Sequence, residues 1–401
     1  MKMSKVIALG VSGGIAAYKA AALTSMLHKN GYEVHVLMTR NATEFVSPLT
    51  FETLSNNRVS VDTFDRNFEY NVQHIALAKK ADLFVVAPAT ANVIAKFACG
   101  IADDMLTTTF LACRCQKLIC PAMNTGMLEN PATQQNIETL RRRGMKFLDA
   151  ENGLLACGDT GKGRLAEPEE IFDYIEELLS PKPMAGLKVL VTAGPTQESM
   201  DPVRFLSNHS SGKMGYALAK QARNLGAEVT LVSGKVALAP LRGVQMVSIT
   251  SAAEMAKAVK DAFPAQDITI KAAAVADYTF AETSPEKIKK GEGELTLSLK
   301  RTEDILRSLG QMARPDQVLC GFAMETQNLL ENARKKLEGK HADMIVANSL
   351  REAGAGFGTD TNRVTLITQQ GTEPLELMEK EEVAREILRR CLAILEKKRG
   401  K

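Results

Sequence analysis

The chain has 401 residues, of which 45% are hydrophobic and 24% charged, with a formal net charge of +3 and a sequence pI near 8.4. At roughly 150 residues per domain this length predicts two or three domains, each able to bury a core without disulfides or metal. The slight basic excess suits small anionic substrates and does not single out nucleic acid as a partner. No apolar run reaches the ~18 residues of a membrane span.

Residues 5–11, KVIALGV, read as a strand running into Ser12-Gly13-Gly14. An alanine-rich helix follows from Ile15 to about Leu27 and stops at Asn30-Gly31, a left-handed C-cap signal. EVHVLMT, 33–39, is the next strand. The same opening recurs downstream: KVLVTAG at 188–194, a long polar loop, a helix from about Met214 to Leu225, then EVTLVSG at 228–234. Further apolar runs are DLFVVAP (82–88), KLICPA (117–122), DITIKAAAV (267–275) and DMIVANS (343–349). Apolar runs alternating with helices predict an α/β chain of two doubly wound, Rossmann-like domains with parallel sheets covered on both faces. An amphipathic helix at 169–179 and the proline- and glycine-bearing segment after it place the seam: domain 1–180, linker 181–186, domain 187–401. Residues 380–398 carry Val383, Ile387, Cys391 and Leu395 at helical spacing, a packed terminal helix whose lysines and arginines stay in water.

Seven cysteines occur: Cys99, Cys113, Cys115, Cys120, Cys157, Cys320 and Cys391. The odd number, with no leader-like segment ahead of it, predicts a reducing, cytoplasmic setting. Cys113, Cys115 and Cys120 lack the paired spacing of a zinc site.

Gly13-Gly14, between a strand and a helix, reads equally as an anion site at the helix N-terminus or as a tight turn. Ala87-Pro88-Ala89-Thr90-Ala91-Asn92 directly follows the strand DLFVV, where ligands of open parallel sheets sit. His74 stands just upstream, and Asn124 follows Pro121-Ala122-Met123. Cys157 lies in a segment with four glycines between 153 and 163, which reads as a mobile flap carrying one thiol and Arg164. Together, SGGIAAYK, APATAN, PAMNTGM and ACGDTGKGRL resemble the flavin-containing cysteine decarboxylases, of the kind that act on phosphopantothenoylcysteine, across residues 1–180. The resemblance implies FMN, with Gly13, Gly14, Thr39, Thr90, Asn92 and Met123 as its candidate contacts. It implies that His74 is a base for oxidation of the substrate thiol, that Asn124 holds the carboxylate and that Cys157 returns a proton after carbon dioxide leaves. Leu128 stands where the family pattern has tryptophan.

In the second half, residues 193–215 form a polar loop whose Ser210, Ser211, Gly212, Lys213 and Gly215 suit either a phosphate at a helix N-terminus or plain solvent. AAAVADY (272–278) ends a strand with Asp277, and Lys287, Lys289 and Lys290 follow. That arrangement suits a triphosphate with Mg2+, the carboxylate lying near the metal. Lys336 and Lys340 are four apart on a helix and share a face. SNHSSGKMG, AAAVADY, KIKK and GFAMET resemble the phosphopantothenate–cysteine ligases over 187–401. The resemblance implies activation of 4'-phosphopantothenate by a nucleotide, CTP in fused forms, and displacement by the cysteine amine. It assigns Asn208 to the acyl intermediate and Lys287 to transition-state charge. The nucleotide would be held by Lys271, Ala272, Ala273, Asp277, Lys287, Glu303, Asp304, Ile305, Leu306, Phe322, Lys336 and Lys340, with Asp277 toward Mg2+. It also implies homo-oligomers, with decarboxylase trimers and ligase dimers building up to a dodecamer. The rival readings are a peptidyl-cysteine decarboxylase, a flavin-binding regulatory protein and, disfavoured by the missing GxGxxG, a nicotinamide-dependent dehydrogenase.

Overall fold

The computed structural model describes residues 4–64, 73–156, 158–290, 294–325, 329–349, 356 and 358–400. Two compact units divide the chain, Met1–Leu179 and Ser180–Lys401.

Unit 1 contains, in order, β1 (Val6–Val11), α1 (Ala17–Lys29), β2 (Glu33–Met38), α2 (Arg40–Thr43), α3 (Pro48–Ser55), α4 (Gln73–Lys80), β3 (Leu83–Ala89) and α5 (Ala91–Cys99). Then come α6 (Met105–Ala112), β4 (Gln116–Pro121), α7 (Thr125–Glu129), α8 (Pro131–Arg142), β5 (Lys146–Phe147), β6 (Glu151–Leu154), β7 (Thr160–Arg164) and α9 (Pro168–Leu179). The strands β2-β1-β3-β4-β5 form one parallel sheet in that order. Every residue of β1 and β3 is buried, because helices cover both faces and no strand position meets water. Leu23 and Leu27 of α1 and Ile171 and Ile175 of α9 pack on Ile7 and Leu9 on one face. On the other, Phe97 of α5 and Phe110 of α6 stack with centroids 3.6 Å apart, and Phe84 meets Phe110 edge-on at 5.4 Å. Leu128, the position where tryptophan was expected, is buried in that second cluster.

Unit 2 contains β8 (Lys188–Ala193), β9 (Gln197–Ser199), β10 (Phe205–Ser207), α10 (Lys213–Asn224), β11 (Glu228–Ser233), β12 (Gln245–Ser248), α11 (Ala252–Ala262), β13 (Ile268–Lys271), β14 (Tyr278–Phe280) and β15 (Leu299–Arg301). It continues with α12 (Ile305–Met312), β16 (Val318–Glu325), α13 (Leu329–Gly339), β17 (Met344–Ser349), β18 (Thr361–Asn362), β19 (Val364–Thr368), β20 (Gly371–Pro374), β21 (Met378–Glu379) and α14 (Lys380–Lys398). Its main sheet runs β12-β11-β8-β13-β16-β17-β19-β20. The first six strands are parallel and the last two extend the edge antiparallel. Leu218 and Ala222 of α10 with Ile387, Cys391 and Leu395 of α14 cover one face. Met255, Val259, Leu309 and Leu337 cover the other.

Two local expectations change. The run 267–275 is a strand only to Lys271. Beyond it the chain leaves the ladder, because Ala273 N donates to Thr192 Oγ1 at 3.1 Å and Ala274 N to Gly194 O at 3.0 Å. The terminal helix also does not keep all its lysines wet. Lys380 is buried, its Nζ donating to Gly356 O at 3.0 Å and to Thr359 O.

Ile387 is fully buried between α14 and the sheet. Ile387→Ala should therefore destabilise unit 2 by about 2–5 kcal/mol through lost transfer energy and the cavity left behind. Denaturant unfolding followed by hydrogen exchange should show the unit 2 transition move while that of unit 1 stays in place.

Candidate active sites at the two sheet edges

In unit 1 the strand order reverses between β1 and β3, so the loops leaving them part and open a crevice at their carboxyl ends. Ser12 bridges the two exits. Its Oγ donates to Pro88 O at 2.7 Å and accepts from Thr90 N at 3.0 Å. Thr90 caps α5 and Thr39 caps α2, accepting from Val93 N and Ala42 N. No side chain caps α1, and its first amides turn back on the preceding loop, Ala17 N donating to Gly14 O and Lys19 N to Ala16 O, each at 3.0 Å. The two glycines there differ in role. A Cβ on Gly13 would lie 2.5 Å from Asn41 Cβ, so Gly13 serves close packing; one on Gly14 would meet nothing nearer than 3.7 Å. Asn92 is exposed on the first turn of α5. The loop after β4 adds Met123 and Asn124, the latter capping α7 by accepting from Gly126 N at 2.8 Å. Gly13, Gly14, Thr39, Thr90, Met123 and Asn124 thus follow strands at one sheet edge, with Asn92 on the helix that begins there. His74 lies half-buried in the first turn of α4. Cys157 lies outside the described residues.

The glycine-rich flap is an antiparallel hairpin, β6 with β7. Its glycines serve close approach to the 123–125 loop. Met123 N donates to Gly163 O at 3.0 Å, a Cβ on Gly163 would sit 2.1 Å from Met123 O, and one on Gly161 would sit 2.5 Å from Thr125 Oγ1. Arg164 is ion-paired with Glu167 and lies 3.5 Å from Glu151. Buried Lys19 of α1 pairs with the same Glu167 at 3.0 Å. Gly163→Ala should push the hairpin off the loop, and hydrogen exchange should then show the Met123 amide losing its protection.

In unit 2 the reversal falls between β8 and β13. A cleft of about 130 Å³ there is lined by the 210–215 loop, Ala272, Ala273, Ala274, Phe322, Asn348, Asn362 and Lys380. Gly212 opens α10 without a side-chain cap, which suits an anion at the helix N-terminus. Asn348 is buried in that lining, which puts a side-chain amide in the cleft wall. Lys213 reaches Asp360 Oδ1 at 2.7 Å and Gly358 O at 3.0 Å. Asn208 Nδ2 donates to Ala274 O at 2.9 Å, which holds it at the end of β13.

Lys271, Glu303, Asp304 and Lys340 form a second charged group beside this edge. Asp304 caps α12 through Arg307 N at 3.1 Å and pairs with Lys340 at 3.1 Å. Burial opposes ionisation of Asp304, but the Arg307 amide and the Lys340 charge outweigh it and hold its carboxyl below the usual range. Glu303 is bound by Lys260 at 2.6 Å and by Ser308. Asp277 is exposed, and its carbonyl accepts from Thr302 N, next to Glu303 in sequence. The side chains of Ile305 and Leu306 are buried in the core, which leaves their backbone as the part that can meet a ligand. Phe322 lines the cleft, while Lys336 and Lys340 are half-buried on α13 and its end. Lys287 is exposed and outside the cleft lining, on a segment clamped by residues that sequence reasoning missed. Arg204 pairs with Asp201 at 3.0 Å and donates to Ile288 O at 2.7 Å, and Asp201 accepts from Ile288 N at 3.2 Å. The Arg204 guanidinium holds the Asp201 carboxyl far below its ordinary range. Among the described residues no cluster of three His, Cys, Asp or Glu side chains could hold a metal by itself, and no helix is long and apolar enough to cross a membrane.

Burial pushes the Lys271 ammonium down from 10.5 to about 7, with Asp304 opposing that fall and Lys340 adding to it. An unfolded chain therefore binds a proton there that the folded chain lacks between about pH 7 and 10.5, so this group favours folding more as pH rises through that window and is neutral to further change below it. Relative to Lys271→Met, the wild type should gain unit 2 stability from pH 7 to 10. Paired denaturant titrations at the two pH values measure it.

The profile of the Flavoprotein family matches residues 1–180, and that of the DNA/pantothenate metabolism flavoprotein C-terminal domain matches residues 184–395. The chain is 49% identical over 399 residues to the coenzyme A biosynthesis bifunctional protein CoaBC of Bacillus subtilis, covering 98% of each. It is 43% identical over 381 residues to the protein of that name from Escherichia coli, covering 94% of each. A cysteine/cysteine sulfinic acid decarboxylase from an unknown prokaryotic organism is 47% identical over 357 residues, 87% of this chain and 99% of that one. With both profiles matched in sequence order and near full-length identity to such relatives, the chain belongs to the family of bifunctional CoaBC proteins of coenzyme A biosynthesis.

Proposed function

We propose that unit 2 joins 4'-phosphopantothenate to cysteine using CTP and Mg2+, and that unit 1 decarboxylates the resulting phosphopantothenoylcysteine with FMN to give 4'-phosphopantetheine. The observation that supports this reading is that in each unit motif residues from separate segments meet where the sheet reverses strand order, Thr90 bonded to Ser12 in unit 1 and Ala272, Ala273 and Ala274 facing residues 210–215 in unit 2. In unit 2 the triphosphate would lie over the uncapped start of α10, near Lys213 and Asn348. Lys271, held close to neutrality by burial, would regain its proton against phosphate or the departing pyrophosphate. The substrate carboxylate attacks the α-phosphorus, pyrophosphate leaves, and the cysteine amine then displaces CMP from the acyl-cytidylate. Asn208 would position that acyl group and Lys287 would offset the charge that develops on it. Asp277 would bind the metal in concert with the phosphates, because the chain itself presents no three-ligand cluster among its described residues.

In unit 1 the segments carrying Gly14, Thr90, Asn92 and Met123 would hold FMN, with the backbone of the Gly13-Gly14 turn near its phosphate. Bound flavin would supply a two-electron acceptor for the substrate's sulfur, which makes loss of carbon dioxide from a cysteine carboxylate feasible, and would give the same two electrons back afterwards, so the overall reaction is redox-neutral. His74 would take the thiol proton, Asn124 would orient the carboxylate beneath the β6–β7 hairpin, and Cys157 would return a proton to carbon. Assembly as decarboxylase trimers and ligase dimers, and a cytoplasmic location, belong to the same reading. The relative called a cysteine/cysteine sulfinic acid decarboxylase favours a second reading in which unit 1 accepts a smaller substrate. Competition between free cysteine and phosphopantothenoylcysteine separates the two.

Lys287→Gln should lower the ligation rate about 10²–10³-fold, as loss of one charge-stabilising contact does, and leave decarboxylation of added phosphopantothenoylcysteine unchanged. Cys157→Ser should release carbon dioxide yet fail to deliver the saturated product. Equal loss of both activities in the Lys287 variant, or normal product from the Cys157 variant, contradicts these assignments.

A further inference from the structure

Where α6 leads into β4, two thiols face each other at the amino end of the strand, the opposite edge of the sheet from the unit 1 crevice. Cys113 Sγ and Cys115 Sγ are 3.0 Å apart. A disulfide requires about 2.05 Å, so closure needs a shift of about 1 Å. Cys113 is 4% exposed and Cys115 half-buried. The Cys113 sulfur also lies 3.5 Å from Ala78 O, in the last turn of α4. Lys117 folds back to donate to Cys113 O at 2.6 Å and sits 5.3 Å from the centre of the Phe110 ring. The contact with Cys115 pulls the Cys113 thiol down to about 6; burial opposes this, and the Lys117 charge assists it. The same contact pushes Cys115 up. Of the two, Cys113 is the more acidic thiol.

We propose that Cys113 and Cys115 form a site of reversible oxidation by hydroperoxide, with Cys113 as the reacting sulfur and Cys115 as the resolving thiol. The Cys113 thiolate attacks one peroxide oxygen, the O–O bond breaks, and hydroxide leaves as sulfur becomes a sulfenic acid. Cys115 then attacks that sulfur, the S–O bond breaks, water leaves and the disulfide forms. The peroxide is reduced by two electrons and the pair is oxidised by two. A 4% exposed sulfur admits so small an oxidant more readily than a bulky disulfide. The resolving thiol at 3.0 Å intercepts the sulfenic acid before further oxidation.

The test treats the full-length protein with hydrogen peroxide, alkylates the remaining thiols and maps peptides by mass. Trypsin cuts after Arg114, so the disulfide appears as two peptides joined between Cys113 and Cys115 and released by dithiothreitol. Fragmentation distinguishes this link from one to Cys99, the exposed reference thiol. Cys115→Ser should carry Cys113 on to sulfinic and sulfonic acids under the same dose. Oxidation of Cys99 in the wild type while Cys113 and Cys115 still alkylate in full overturns the proposal, as does a link to Cys99, whatever the variant does.

Discussion

A parallel sheet whose strand order reverses cannot close over its own carboxyl edge. The loops from the two strands at the reversal must leave in opposite directions, and the space between them is left for a ligand. In unit 1 that reversal lies between β1 and β3, and in unit 2 between β8 and β13. The rest of each site serves to hold those diverging loops at a fixed separation. Ser12 does so in unit 1 by bonding to both Pro88 and Thr90. In unit 2, Thr192 and Gly194 draw Ala273 and Ala274 across to the exit of β8.

Unit 2 then places the uncapped start of α10 at its crevice, whereas in unit 1 the first amides of α1 are bonded to the Gly14–Ala16 turn. Charge is handled differently in each. Unit 1 ties its flanking charges into pairs, with Arg164 and Lys19 both on Glu167. Unit 2 keeps Lys271 buried and short of a full positive charge. That burial costs stability in the free protein, and an anionic nucleotide would relieve it. Unit 2 is therefore the half in which ligand binding should be most tightly coupled to folding.

Much of this arrangement was legible in the sequence. Strands buried on both faces announce themselves as unbroken apolar runs, and Gly31, with φ at +82°, ended α1 where an Asn-Gly stop predicts. Loops at strand ends such as APATAN and PAMN could be assigned to the site because their position in a parallel sheet is fixed by the order of elements. What escaped was nonlocal. Lys380 is buried by a loop some twenty residues upstream, and nothing in an amphipathic helix marks which lysine will fold back. Asp201 and Arg204 read as ordinary polar loop residues until Ile288 arrives between them. The side chains of Ile305 and Leu306 are in the core because α12 packs on β16, which a motif read by family resemblance does not reveal. The flap glycines suggested mobility in sequence, whereas Gly161 and Gly163 are shaped by the approach of residues 123–125.

The central claim is that one chain carries out two chemically unrelated steps at two separate strand-order reversals. The most direct measurement is a mass-resolved product time course of the purified full-length protein given 4'-phosphopantothenate, cysteine and Mg2+, with CTP or ATP in parallel. The account predicts CMP and phosphopantothenoylcysteine first with CTP, then conversion of that amide to 4'-phosphopantetheine with release of carbon dioxide. Absence of nucleotide consumption together with absence of the amide, or an amide that persists without decarboxylation in flavin-replete protein, would contradict it.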